Sequence, residues 1–243
     1  GNAFFSNTGL QNGGYEAVIV NGTGLGQHRQ IVACAGSTIS VTPSWNVAPD
    51  ATSTVLIAGT VTHCAIYQNS LQGKSTYATQ ETASTGIQPY GNSYDFIADG
   101  NTISQVRTGI SLWCPSQSNL TPESINCVYF NYVANNSVSQ CLNGIANISQ
   151  AWNGWPVSSP YPGISSLANT CAGNTVSTMA ESGLALWASQ APMGDQEDLN
   201  VFAHNSLAGM PVGLQTESSG HVNNTQSYKN MIGAGVTQAS TMQ

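Results

Sequence analysis

Asn101-Thr102-Ile103-Ser104, followed by Gly109-Ile110-Ser111-Leu112-Trp113, is a phrase that the chain repeats. It returns as Asn136-Ser137-Val138 with Gly144-Ile145, as Asn174-Thr175-Val176 with Gly183-Leu184, and as Asn205-Ser206-Leu207 with Gly213-Leu214. The steps from Asn to Asn are 35, 38 and 31 residues, too variable for a rigid short repeat and natural for stacked coils that differ in their loops. Aliphatic and polar residues alternate at period two, so each copy predicts two short strands with one buried face. A coil this thin cannot bury a core alone. Its neighbours must stack about 4.8 Å apart, which gives an all-β parallel solenoid. The expected core is Ile103, Ile110, Leu112, Val138, Ile145, Val176, Leu184, Leu186, Leu207 and Leu214. Asn at the corners is expected to form a hydrogen-bonded ladder, and Gly to supply backbone angles that other residues resist.

Asn69-Ser70-Leu71 with Gly86-Ile87 reads as an earlier copy with a long insertion between its strands. Gly1-Asn2-Ala3-Phe4 reads as the tail of one more, so the chain is expected to start inside a solenoid, with an N-terminal part of the same protein missing. The phrase covers residues up to 216, and 217–243 is left as a C-terminal tail or cap. Residues 14–60 differ, being rich in Val, Ile and Thr, and read as β-hairpins with Gly24 and Gly26 at the first turn, Gly36 at the second, and Trp45 over one side. The Gly-rich stretch there opens a strand, not a helix, so it is not a nucleotide loop.

Two stretches of this module, GTGLGQHRQIV at 22–32 and STISVTPSWNVAPDATSTVLI at 37–57, resemble a β-hairpin module found beside right-handed parallel β-helices of the pectate-lyase-like superfamily and in phage structural proteins. GNTIS at 100–104 and TGISLW at 108–113 are similar to coils of the same β-helices. The resemblance spans residues 1–216 and implies a right-handed parallel β-helix with an N-terminal β-hairpin module at 14–60. It leaves the chemistry open, because that superfamily includes lyases, glycosidases, epimerases, tailspikes and inert adhesins.

Lys and Arg number 4 against 11 acidic residues, a net charge of −7, so no basic surface is offered to nucleic acid or anionic lipid. No apolar run reaches the ~18 residues of a membrane span. Charged residues are 6% of the chain, with hydroxyl and amide side chains in their place, which fits an extracellular or virion-surface β protein. Cys34, Cys64, Cys114, Cys127, Cys141 and Cys171 show no zinc spacing, and neither metal nor cofactor is expected. Cys114 with Cys127 is the expected disulfide, with Cys141–Cys171 and Cys34–Cys64 weaker pairings and buried thiols the alternative.

In the resembled superfamily, lyases use Lys or Arg, often with calcium carboxylates, and this chain offers only Arg29, Lys74, Arg107 and Lys229. Glycosidases use two carboxylates, about 5 Å apart for retention or ~6.5–9.5 Å for inversion. Catalytic candidates are therefore Asp95, Asp99, Glu81 and Glu181. Asp99 stands where later copies have Ala134, Ala172 and Ala203, so the coil itself does not require it. Asp95 and Asp99 would lie about 13 Å apart in a straight strand, less across a corner. Trp113 and Trp187 each follow an inward Leu and should point outward from one sheet, two coils and about 9–10 Å apart, a disaccharide's length. Arg107 and Glu181 share one column beside them, and Trp152 and Trp155 fall in the loop of the coil between. The four His residues show no catalytic spacing. The expectation is an extracellular polysaccharide-binding, glycosidase-like β-helix. The alternative is a non-catalytic fibre, adhesin or virion protein that uses the same surface for homo-oligomeric assembly or attachment.

Overall fold

The computed structural model describes residues 14–76, 84–116, 126–151, 163–189, 196–218, 221–233 and 237–239. The described residues up to Thr60, with Gly163 and Ile164, form one compact unit, and the rest form a second. In the first, β1 (Glu16–Asn21), β2 (His28–Ala35), β3 (Thr38–Thr42) and β4 (Thr54–Ala58) make an antiparallel sheet of order β3-β2-β1-β4. Gly22, Gly24 and Gly26, between β1 and β2, have positive φ, as does Gly36 between β2 and β3. Trp45 packs on Ala17, Ile31 and Cys34 and carries the Arg29 guanidinium over its ring at 5.4 Å. The hairpin reading of this segment, with Trp45 as its cover, is therefore what folds.

The second unit is a parallel β-solenoid of four sheets, each with six strands in strict coil order. Coil one contributes Val61–Thr62, Ala65–Tyr67, Ser70–Gln72 and Thr85–Ile87 to the first, second, third and fourth sheets in turn. Coil two contributes Ser93–Tyr94, Ile97–Asp99, Thr102–Ser104 and Thr108–Ser116, and coil three Val128–Tyr129, Tyr132–Ala134, Ser137–Ser139 and Asn143–Ala151. The segment read as a tail supplies His221–Asn223, Gln226–Tyr228, Met231–Ile232 and Thr237–Ala239, one strand to each sheet, as coil six. Leu71, Ile103, Val138, Val176 and Leu207 stack in one inward column, and Ile87, Ile110, Ile145, Leu184 and Leu214 in another. All of the expected core residues whose side chains are described lie in this one cluster.

The repeated Asn residues form a continuous ladder, buried from Asn101 to Asn205. Each side-chain amide donates to the next Asn Oδ1, from Asn69 through Asn101, Asn136, Asn174 and Asn205 to Asn230. The backbone N–H of each also donates to that oxygen. A second ladder, Asn131–Asn169–Asn200, runs along another corner. The glycines of the phrase have a different cause from the expected one, since Gly109, Gly144 and Gly183 are not among the positive-φ residues. A Cβ on Gly109 would sit 2.6 Å from the Gly144 carbonyl oxygen and against Val138, so close approach of coils requires Gly there. The left-handed corners fall elsewhere, in columns such as His63, Asp95, Phe130, Ala168, Leu199 and Asn224.

All six cysteines are free thiols, which corrects the expected disulfides. Cys114 Sγ donates to the Asn126 carbonyl at 2.8 Å, while Cys127 Sγ lies 2.6 Å from the Tyr94 hydroxyl, so each sulfur is held by its own polar partner. Cys141 and Cys171 are members of the solenoid core, whereas Cys34 is buried in the first unit and Cys64 is exposed.

Candidate functional site

Asp95 and Asp99 flank the second-sheet strand of coil two. Asp95 is the left-handed corner residue before it, with φ of 49°, and Asp99 is its last residue. Corner occupants in the other coils are His, Phe, Ala, Leu and Asn, so the turn does not itself demand a carboxylate at 95. Strand register puts Tyr67, Asp99 and Ala134 side by side, and likewise Ala65, Ile97 and Tyr132. The corner column adds His63, Asp95 and Phe130. Because side chains alternate across a strand, the outward positions of coils one to three form a small grid. Its three rows are His63, Ala65, Tyr67; Asp95, Ile97, Asp99; and Phe130, Tyr132, Ala134. Tyr67, Ile97, Phe130 and Tyr132 are all exposed large apolar groups.

Local contacts hold the two carboxylates without covering them. Asn135, in the left-handed corner that follows the next strand, donates its side-chain amide to Asp99 Oδ1 at 2.9 Å. His63 Nε2 stands 3.7 Å from Asp95 Oδ2, with side-chain exposures of 73% and 45%, so this pair is solvated and contributes little stability. One acid beside an aromatic ring on either side can bind a sugar face by stacking and its hydroxyls by carboxylate hydrogen bonds. Two such acids on opposite sides of a scissile bond are what glycoside hydrolysis needs.

The tryptophans belong to a different surface. Trp113 pairs in register with Ile148, which pairs with Trp187, so the two tryptophan positions share a column of the fourth sheet two coils apart. The Trp187 side chain and residues Glu81, Trp152 and Trp155 lie outside the described residues. Trp113 is half-buried and packs on Ala146, Ile148 and Ala185, an apolar patch on the outer face of the sheet. Tyr90 extends the same column into coil one, bridging Trp113 through the backbone and meeting its ring edge-on at 5.5 Å. Sequence reasoning passed over Tyr90, although it follows Ile87 by the same three residues that separate Trp113 from Ile110.

Arg107 and Glu181 do share a column, since Asn143 N donates to Arg107 O, Glu181 N to Leu142 O, and Val212 N to Glu181 O. Each precedes its tryptophan by six residues, about 20 Å along an extended strand. They therefore do not frame an aromatic platform. Asp95 and Asp99 are on the second sheet and the tryptophans on the fourth, so the acids have Tyr67, Phe130 and Tyr132 for neighbours.

The fold defines the class of this chain as a parallel β-solenoid protein with an antiparallel β module. No family model, curated protein or solved structure matches it.

Proposed function

We propose that this chain is an extracellular polysaccharide-binding β-solenoid that holds a glycan across the grid of coils one to three, with Asp95 and Asp99 as the paired carboxylates of a glycosidase-like reaction. One observation carries the reading: strand register sets Tyr67 beside Asp99 and Tyr132 beside Ile97 on an exposed face. Exposed rings next to carboxylates are costly unless something stacks on them. The grid spans two intercoil steps, about 10 Å, close to a disaccharide. It carries no Lys or Arg, so a neutral glycan suits it better than a uronate.

The test is a glycan array with reducing-end release measured on every hit. Tyr132→Ala is expected to weaken binding by ~1 kcal/mol or more. Asp99→Asn and Asp95→Asn are expected to lower turnover by orders of magnitude with binding nearly intact. Binding lost in Tyr132→Ala while no hit is ever cleaved would leave a lectin-like protein. Unchanged binding and turnover in all three variants would remove this face from the function.

The second reading is a non-catalytic fibre, adhesin or virion protein. Leu199 is exposed in coil five and Tyr228 in coil six, with Val201 between them in the same outward columns. This apolar surface is longer than a disaccharide, and a second protein chain would use all of it. A concentration-dependent oligomer broken by Leu199→Asp, with no glycan hit, is the result that favours this reading.

A further inference from the structure

We infer that the outer edge of β3, in the antiparallel module, pairs with the β3 of a second copy of this chain, antiparallel about a two-fold axis at Ser40. β3 ends the order β3-β2-β1-β4, so among the described residues only β2 is paired with it. Its residues, Thr38-Ile39-Ser40-Val41-Thr42, are alternately exposed and half-buried, and none is buried. The other end of the sheet differs, since Leu56 and Ala58 of β4 are buried. An edge strand presents a row of N–H and C=O groups to any chain that can reach it, and proteins commonly blunt such an edge with charges, a Pro or a bulge. Here no residue from Gly36 to Ser44 is charged, and Pro43 comes after the strand. The bulge in the β2–β3 pairing puts its extra residue, Val32, on β2, so β3 itself runs unbroken.

The strand's own sequence points to the occupant. Outward from Ser40, β3 has Ile39 on one side and Val41 on the other, then Thr38 and Thr42. An antiparallel pair centred on Ser40 therefore sets Thr38 opposite the partner's Thr42 and Ile39 opposite the partner's Val41. Hydroxyls meet hydroxyls on one face and aliphatics meet aliphatics on the other, which are favourable cross-strand pairs. Such self-complementarity is what a two-fold contact requires. Packing leads the same way. Val41 lies opposite Ile31 and Ile39 opposite Cys34, and both aliphatics pack on the cluster of Ala17, Ile31 and Cys34. Ala17 and Ile31, with a strand on either side, are 0% exposed. Ile39 and Val41 are only half-buried, because the sheet stops at their strand. A second β3 continues the aliphatic face across the junction and takes these two side chains out of water. A contact of this length is small beside the ~1,200–2,000 Å² of a stable interface, so the dimer is a reversible one.

The test is sedimentation equilibrium of the full chain at concentrations up to about 1 mM. It compares wild type, Leu199→Asp, and the double variants Thr38→Lys/Thr42→Lys and Thr38→Lys/Thr42→Glu. Thr38 and Thr42 are exposed, so these changes leave the core of the module untouched. Pairing predicts a concentration-dependent dimer in wild type and equally in Leu199→Asp, which separates this edge from the apolar columns of coils five and six. With Lys at both positions, each end of the strand pair sets like charges face to face. With Lys at one and Glu at the other, each end sets opposite charges face to face. Thr38→Lys/Thr42→Glu is therefore expected to dimerise at least ~tenfold more tightly than Thr38→Lys/Thr42→Lys. Wild type that stays monomeric at every concentration would overturn the inference. So would a dimer that Leu199→Asp abolishes, or one on which the two double variants act alike, because the contact would then lie elsewhere or in another register.

Discussion

At the scale of single residues, the buried amides matter more than any charge. Asn136 accepts from Asn101 N and Nδ2 and donates to the Ala98 carbonyl and Asn174 Oδ1, all at 2.9–3.0 Å and all buried. Asn136→Ala leaves these partners unsatisfied, each costing about 1–3 kcal/mol, so a loss of roughly 3 kcal/mol or more is expected in urea denaturation. Asn69→Ala, at the partly exposed end, should cost much less, and equal costs would show that the ladder is not the cause. Burial also acts on Cys171, whose thiol is pushed up to about 12 from 9.0. Burial is likewise the first cause that holds Tyr129 well above 10.0. Both folded values lie above the unfolded ones. The stability from keeping these groups neutral is therefore complete below about pH 9 and is lost as pH rises toward 12. The denaturation midpoint should fall between about pH 9 and 12, and Cys171→Ala should flatten part of that fall.

At the scale of elements, what was legible was what recurred with a side-chain signature. The third and fourth sheets carry the Asn and Gly columns, and their strands show the period of two, so both could be read before any coordinate. The first sheet contributes strands such as Ser93–Tyr94 and Val128–Tyr129, too short for any period to show. The corners between the first and second sheets hold unrelated residue types. Without those corners the placement of Asp95 and Asp99 on a sheet apart from the tryptophans had no signal. Coil six was missed because Asn230 is followed eight residues later by Gln238 where the other coils have Gly, with Thr237 in register with Val212. The Trp113 reading changes as well, because its ring covers Ala146, Ile148 and Ala185. Trp113→Ala should therefore lower stability by a few kcal/mol, measurable as a reduced melting temperature, even where glycan binding is unaffected.

At the scale of the whole molecule, the solenoid is a one-dimensional stack in which a coil touches only the coils on either side. Its stability is then close to a sum over coils and their interfaces, and loss of packing in one coil is felt most where both neighbours depend on it. Leu184 is 0% exposed in coil four, with Ile145 and Leu214 in register on its two sides. Leu71 occupies an inward position of coil one and is only partly buried against the same core. Leu184→Ala opens a cavity walled on both sides and should cost about 2–5 kcal/mol. Leu71→Ala removes a side chain that is already partly wet and should cost clearly less. Hydrogen exchange gives the spatial form of the same prediction. Amides of coils three to five should open only with the whole solenoid, and those of coils one and six by local fraying. If Leu71→Ala proved as damaging as Leu184→Ala, or if the amides of coil one were as protected as those of coil four, coil one would not be an end. Chain beyond it would then be packed as tightly as any interior coil.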